Sequence, residues 1–269
     1  MATSSTFEAS LAITHIGTAT ALIELGDVTL ITDPYLSPAG SSRDVAPGVS
    51  LTSHYTPSRT LETLPPIDAV LLSHEDHPDN LDSLGRRLLD GRRVLTTTDG
   101  ARKLGPRPGV RGMKPWEIVE LSIARKRFQV TATPCQHLPG GECIGFILSS
   151  PDFGTTHGLP NAIYFSGDTV YTEELAQIRT RFHISVALLN IGAAVAELPG
   201  EAEPILITMD GKQAAQLSRD IEADILIPMH FESWDHFTEG KAKLLEAFKE
   251  EGIIEKVLWL EPGTKTKVF

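Results

Sequence analysis

The sequence contains few cysteines, with only Cys135 and Cys143 among 269 residues. Two thiols are too few for a disulfide framework, and their spacing is not that of a CxxC metal or redox pair. We therefore expect both to be small buried side chains of a protein that works in a reducing compartment, the cytoplasm.

Basic residues are also scarce, with 24 Lys and Arg against 35 Asp and Glu, a formal net charge of -11. Such a chain offers no general attraction for a phosphate backbone, so we expect no nucleic-acid partner. It has no apolar run of membrane-spanning length, and its first residues do not form a signal-peptide pattern. We expect a small-molecule substrate and no membrane partner, and the sequence is compatible with a homo-oligomer.

Three common enzyme motifs are absent from the sequence. There is no GxSxG elbow for a serine nucleophile, no GxxxxGK[ST] phosphate loop and no GxGxxG dinucleotide fingerprint. The commonest sequence signals of serine hydrolases, NTPases and Rossmann dehydrogenases are therefore missing.

The first half of the chain is rich in predicted strands. Residues 11–25 and 28–32 alternate in the manner of a β-hairpin around a Gly26-Asp27 turn, and residues 35–66 have the many prolines of a long loop over one face. Further elements follow: strands at 69–73, 94–97, 117–121, 127–134, 144–149 and 162–166, and helices at 80–89 and 101–104.

The second half alternates helices and strands. Helices are predicted at 172–179, 212–221 and 240–251, and strands at 186–191, 225–228 and 256–260. Asp210 precedes the second of these helices and is interpreted as its N-cap. This order of elements is typical of an α/β layered protein, which we expect to form a single domain over residues 1–269.

Polar residues that can bind a metal follow four of the predicted strands. They are the segment His74-Glu75-Asp76-His77-Pro78-Asp79-Asn80, then His137, Asp168 and His230. A single strand-end histidine or aspartate is usually a hydrogen-bonded polar residue or a helix cap. Imidazoles and carboxylates repeated at separate strand ends are instead an inventory of ligands for a divalent cation.

At these residues the sequence resembles the metallo-β-lactamase superfamily of metal-dependent hydrolases. The first family motif is HxHxDH after a buried strand, and a lone His, an Asp in a GD dipeptide and a final His follow later strands. The segments IGTATALIEL, LITDP, YFSGDT and IPMHF are most similar to the branch that includes ascorbate-6-phosphate lactonase. The resemblance covers residues 11–262 and implies an αββα four-layer sandwich.

The first motif departs from the family pattern. His77 lies one residue farther from His74 than the pattern requires, and Asp76 occupies the place of the second His. The sequence leaves open whether Asp76 or His77 faces the metal. Asn80 stands where the last His should be, and an amide oxygen is a weaker ligand that would change the second site's affinity or metal preference.

The resemblance implies a role for each of these residues. His74, His77 and His137 would hold one metal, Asp79 and His230 the other, and Asp168 would bridge them. Asp76 and Asn80 remain weak or outer contacts. The cofactor would be one or two divalent ions, zinc before manganese or iron, and these would make a hydroxide nucleophile available at neutral pH. Asp79 would orient that nucleophile and accept its proton.

Three further residues are candidates for the substrate pocket. Trp234 and His236 follow the last predicted ligand, and His236 could protonate a leaving group; Tyr171 could donate to a substrate oxygen. Packing explains each of them equally well. The favoured function is hydrolysis of a small-molecule lactone, ester or amide. A phosphodiesterase is the alternative enzyme, and a non-catalytic binding protein with a degenerate metal site is the alternative of another class.

Overall fold

The computed structural model describes residues 6–46, 49–198 and 203–269. The strands along the chain are β1 (Ala12–Gly17), β2 (Thr20–Leu25), β3 (Val28–Thr32), β4 (Ser42–Ala46), β5 (Val49–Thr52), β6 (Ala69–Leu71), β7 (Arg93–Thr97), β8 (Val110–Met113), β9 (Ile118–Ile123), β10 (Lys126–Pro134), β11 (Ile144–Ser149), β12 (Thr155–Thr156), β13 (Leu159–Phe165), β14 (His183–Asn190), β15 (Val195–Ala196), β16 (Ile205–Leu206), β17 (Ile225–Met229) and β18 (Thr266–Lys267).

The helices are α1 (Ser83–Leu88), α2 (Thr98–Leu104), α3 (Gly211–Asp220) and α4 (Lys241–Glu250), with short 3₁₀ helices at Pro151–Phe153, Glu173–Thr180 and Ile254–Lys256. Asp210 caps α3 as predicted, because its side chain accepts a hydrogen bond from the backbone N–H of Gln213. In the described ranges, no helix is both long and apolar enough to cross a bilayer.

Two seven-stranded sheets contain most of the strands. The first has the order β18-β1-β2-β3-β6-β7-β8, and it is antiparallel up to β3 and parallel from β3 to β8. The second has the order β17-β14-β13-β11-β10-β9, with β12 paired to β13, and its parallel part comprises β13, β14 and β17. Parallel strands align their carboxyl ends, so the loops after β6, β13 and β17 are available to build a site.

Alternating side chains along the strands explain why the sheets stack. In β6, Ala69 and Leu71 belong to a core shared by the two sheets, whereas Val70 packs on the other face with Leu88 of α1 and Leu104 of α2. The outer face of the second sheet buries a third cluster against α3 and α4. Because both faces of each sheet are covered, the layers run helix, sheet, sheet, helix, and the predicted αββα fold is confirmed.

Several predicted elements were wrong in detail. Residues 11–25 form two strands, because the chain turns at Thr18, which has a positive φ of 48°. The long loop at 35–66 contains the hairpin of β4 and β5; its residues 47 and 48 lie outside the described residues. Residues 173–180 form a 3₁₀ helix. The strand predicted at 256–260 is reduced to one bridge between Leu226 and Val257, because a 3₁₀ helix turns the chain immediately before it.

Candidate metal centre

Six predicted ligands meet at the carboxyl ends of strands from both sheets. His74, His77 and Asp79 lie on the loop after β6, whereas the other three follow β10, β13 and β17 of the second sheet. The ligand atoms form two groups, each with its atoms within 4.8 Å of one another. The first group contains His74, His77, His137 and Asp168, and the second contains Asp79, Asp168 and His230. Asp168 belongs to both, the position expected of a bridging carboxylate.

Hydrogen bonds orient the imidazoles of His74 and His137. The Ser73 hydroxyl donates to Asp33 Oδ2 at 2.6 Å and therefore accepts from His74 Nδ1 at 2.8 Å. His137 Nδ1 donates to the carbonyl of Ile207 at 2.6 Å. Each ring is thereby fixed with Nε2 facing the cluster, and both Nε2 atoms lie 3.9 Å from Asp168 Oδ2.

Two residues at the strand ends have a positive φ: Gly167, directly before Asp168, and His230. Gly167 has a φ of +59°, and a Cβ there would lie 2.6 Å from the carbonyl oxygen of Ile144, so only glycine fits before Asp168. His230 adopts a φ of +63°, rare for a residue with a side chain, and its N–H donates to the carbonyl of Thr18. Such strain persists where the surroundings impose it, and here it aims the His230 ring at Asp79 and Asp168.

The electrostatics favour ionised carboxylates at Asp79 and Asp168 and a neutral imidazole at His74. Burial opposes ionisation of Asp79, but the imidazoles of His230 and His236, whose Nε2 atoms lie 3.3 and 3.4 Å from Asp79 Oδ2, outweigh it and hold the pKa of Asp79 well below its usual value. Burial also opposes ionisation of Asp168, yet the neighbouring His230 and His137 lower its pKa overall. Burial, followed by the charge of His77, lowers the pKa of His74, so its lone pair is free for a metal.

A divalent cation fits this donor set. His74 Nε2 and both ring nitrogens of His230 are buried without a hydrogen-bond partner among the described residues. Leaving such groups unpaired is costly, whereas bonds to a cation would satisfy them. Imidazoles with carboxylates are the ligands that zinc, iron and manganese share.

The structure separates the two alternatives of the first motif. The rings of His74 and His77 meet at a centroid distance of 4.6 Å, with His77 turned into the cluster. Asp76 instead points toward Lys103 of α2, with 3.6 Å between carboxylate and ammonium. Asn80 Nδ2 donates to Asp33 Oδ2 at 2.9 Å, and its buried Oδ1 has no hydrogen-bond partner in the described part of the chain.

The three predicted substrate contacts have different outcomes. His236 lines a cavity of about 860 Å³ at the cluster, and its Nε2 lies 3.4 Å from Asp79 Oδ2. Trp234 is a correction: its ring is buried edge-on against Tyr35 and is not part of the described lining of the cavity. Tyr171 is a second correction. Its hydroxyl donates to Asp220 at 2.7 Å, and its ring packs against the hydrophobic core that lies between the second sheet and helices α3 and α4.

Sequence reasoning missed the residues that support the ligands. Asn190, at the end of β14, donates from Nδ2 to Asp168 Oδ1 at 2.7 Å and leaves Oδ2 to face the histidines. Asp33 accepts hydrogen bonds from Ser73 and Asn80, and burial raises its pKa to about 7. Their positions at strand ends were the only available signal, since their partners lie 22 to 47 residues away.

The fold and the cluster define a protein of the metallo-β-lactamase fold with a candidate two-metal centre. The family model of the beta-lactamase superfamily domain matches residues 29–231, and the chain belongs to this superfamily.

Similar proteins extend over nearly the whole chain. A UPF0173 metal-dependent hydrolase of Methanopyrus kandleri is 24% identical over 93% of this chain and 97% of its own length. Among solved structures, a possible metal-dependent hydrolase from Veillonella parvula aligns with a TM-score of 0.76 at 18% identity, covering 97% of this chain and 100% of its own. An isothiocyanate hydrolase from Delia radicum gut bacteria aligns with a TM-score of 0.73 at 22% identity, covering 95% and 98%. These structures share the fold.

Proposed function

We propose that this chain, a metal-dependent hydrolase of the metallo-β-lactamase fold, cleaves a small-molecule lactone, ester or amide in the cytoplasm. The observation that supports the proposal is the pair of ligand groups joined through Asp168 beside a cavity of about 860 Å³. A cavity of this size accommodates a small molecule. The preference for lactones rests on the sequence resemblance described above.

His74, His77 and His137 would hold one ion, Asp79 and His230 a second, and Asp168 would contact both. A divalent metal at this position supplies Lewis acidity and lowers the pKa of a coordinated water toward neutrality. Zinc suits the histidine-rich group, and manganese or iron suits the second group, where Asn80 replaces an imidazole.

Asp79 and His236 are the proposed proton-transfer groups. The lowered pKa of Asp79 keeps it ionised, so that it can orient the attacking water and accept a proton from it. His236 lines the cavity next to Asp79, from where its imidazole can protonate the departing oxygen or nitrogen. These two side chains divide the base and acid roles between a loop of the first sheet and one of the second.

The first test is the metal content per chain of protein purified without added metal. We expect about two equivalents in the wild type and a sharp fall in Asp168→Ala. Asp224→Ala is the matched control, because Asp224 forms a 2.7 Å pair with His183 outside the cluster. One equivalent would mean that Asn80 has weakened the second site. No metal after reconstitution, with ligand binding unchanged by His74→Ala, would favour the binding protein.

The second test is turnover by the metal-loaded protein of lactones, carboxylic esters and amides against phosphodiesters. We expect hydrolysis of a carbonyl substrate that is lost in Asp79→Asn. Faster hydrolysis of phosphodiesters would contradict the proposal and favour the alternative function, a phosphodiesterase, for which the same pair of metals is suited.

A further inference from the structure

The cavity beside the candidate metal centre is lined by both polar and apolar side chains. His77, Asp79 and His236 line it at the cluster. Much of the remaining wall is aliphatic and consists of Leu51, Leu81, Leu138, Val195, Leu198 and Ile207. A wall of this composition gains free energy by excluding water from an apolar ligand.

The apolar wall begins at the metal ligands themselves. Leu138 follows His137 directly in the chain, and the carbonyl of Ile207 accepts the hydrogen bond from His137 Nδ1. A substrate whose reacting carbonyl reaches the cluster therefore places its neighbouring atoms against Leu138 and Ile207. These side chains are in position to select the group attached to that carbonyl.

The cavity lining contains more acidic than basic residues, and one of its two arginines is paired with an acidic residue. Glu75, which is almost fully buried, contacts Arg86 at 2.8 Å and Lys103 at 3.1 Å. Arg43, the other arginine of the lining, is exposed beside Asp44 on β4. Because Arg86 is engaged by Glu75 and Arg43 is exposed, the described lining away from the metal centre offers an anionic substrate no buried, unpaired cationic side chain.

We propose that the cavity selects an uncharged substrate with an apolar alkyl chain, and that Leu138 and Leu51 are specificity-determining residues for that chain. The proposal names the substrate class of the proposed hydrolase and so rests on that function. Leu51 lies on β5 of the hairpin that borders the cavity, away from the metal ligands, whereas Leu138 lies next to one.

Kinetics on a homologous series of γ-lactones, from butyrolactone to decalactone, test the proposal with the zinc-reconstituted protein. We expect kcat/KM to rise about fourfold with each added methylene until the chain fills the apolar wall. Leu138→Asn and Leu51→Asn should each flatten this dependence. Ile118→Asn, which changes an exposed side chain of β9, should keep the wild-type slope.

Calorimetric binding of uncharged 2-alkanones with four to ten carbons separates the substrate class from catalysis, because these ketones have no hydrolysable bond. The proposal predicts that Kd falls about fourfold per methylene in the wild type and less in Leu51→Asn. Metal content and thermal unfolding of each variant show that the centre is intact. A flat series, or tighter binding of decanoate than of 2-decanone by the metal-free protein, would overturn the substrate class. A steep binding series without turnover would overturn only the hydrolase.

Discussion

Asn190 has a specific task at the residue scale, because its side-chain hydrogen bond determines which oxygen of Asp168 faces the candidate ligand histidines. We expect Asn190→Leu, of similar volume, to lower metal affinity about tenfold or more, the usual cost of losing such a support. In the cobalt-substituted protein the visible absorption should also change, because both oxygens of Asp168 become free to turn toward the ion.

Asn161 provides the matched control for Asn190. It is also fully buried, and its Nδ2 donates to the Phe153 carbonyl at 2.8 Å, at the far end of β13. Asn161→Leu should lower stability and leave the cobalt spectrum and the metal affinity unchanged. If the cobalt spectra of the two leucine variants were the same, the role of Asn190 would be structural only.

The buried imidazole of His15 makes the stability of the folded chain depend on pH. Burial lowers the pKa of its imidazole below 6.5, and its hydrogen bond to the Thr18 carbonyl opposes this only in part. The unfolded chain therefore binds the proton at a higher pH than the folded chain, and a penalty on folding develops as the pH falls below about 6.5. In EDTA, His15→Gln should reduce the fall in Tm between pH 8 and pH 5.5 by about 2 °C. An unchanged difference would contradict this account.

The strand-end positions of the candidate ligands could be predicted from the sequence, and the residues that support them could not. His74, His137, Asp168 and His230 stand just after apolar runs, so local pattern alone placed them at strand ends. Asn190 follows a strand equally well, but its role depends on the pairing of β13 with β14, which no local pattern specifies. The prediction that Tyr171 contacts the substrate was wrong for the same reason, because its hydrogen-bond partner Asp220 lies 49 residues away in the chain.

Among the elements, α1 depends on a close approach to the segment after β3. A Cβ on Gly85 would lie 1.8 Å from the carbonyl oxygen of Pro34, and Asp82 caps the helix while accepting from the Leu36 N–H. Gly85→Ala should therefore lower the free energy of unfolding by about 2 kcal/mol, despite the better helix propensity of alanine.

Urea denaturation measures this effect, and Gly141→Ala is the control. The nearest atom to a Cβ at Gly141 is the Leu138 carbonyl oxygen at 3.6 Å, an ordinary contact. We expect a change of less than about 0.5 kcal/mol there. A stabilised Gly85→Ala would show that α1 moves away from Pro34 at little cost.

Buried strands were the elements that the sequence predicted best. Residues 69–73 are apolar on both faces because helices cover one side of β6 and the second sheet covers the other. The β4 and β5 hairpin lies in a proline-rich segment with exposed residues, where apolar periodicity is weak. Short edge pairings such as β18 depend on tertiary neighbours and left no pattern to find.

At the scale of the whole molecule, the candidate metal centre connects the two sheets. The loop after β6 supplies three ligands from the first sheet, and the loops after β10, β13 and β17 supply three from the second. An ion held by both sets binds only when the sheets are packed together, so its binding free energy adds to the stability of the folded chain.

Thermal unfolding with and without zinc tests this coupling. With free zinc a thousandfold above its Kd, the added stability is about 4 kcal/mol, which corresponds to a rise in Tm of about 10 °C for a chain of this size. EDTA should reverse the rise, Asp168→Ala should abolish it, and Asp224→Ala should retain it. Because Asp168 contacts both ligand groups, its loss should remove more of the shift than the loss of His77, which belongs to one group. Equal residual shifts in the two variants would contradict the shared role of Asp168 in the two ligand groups.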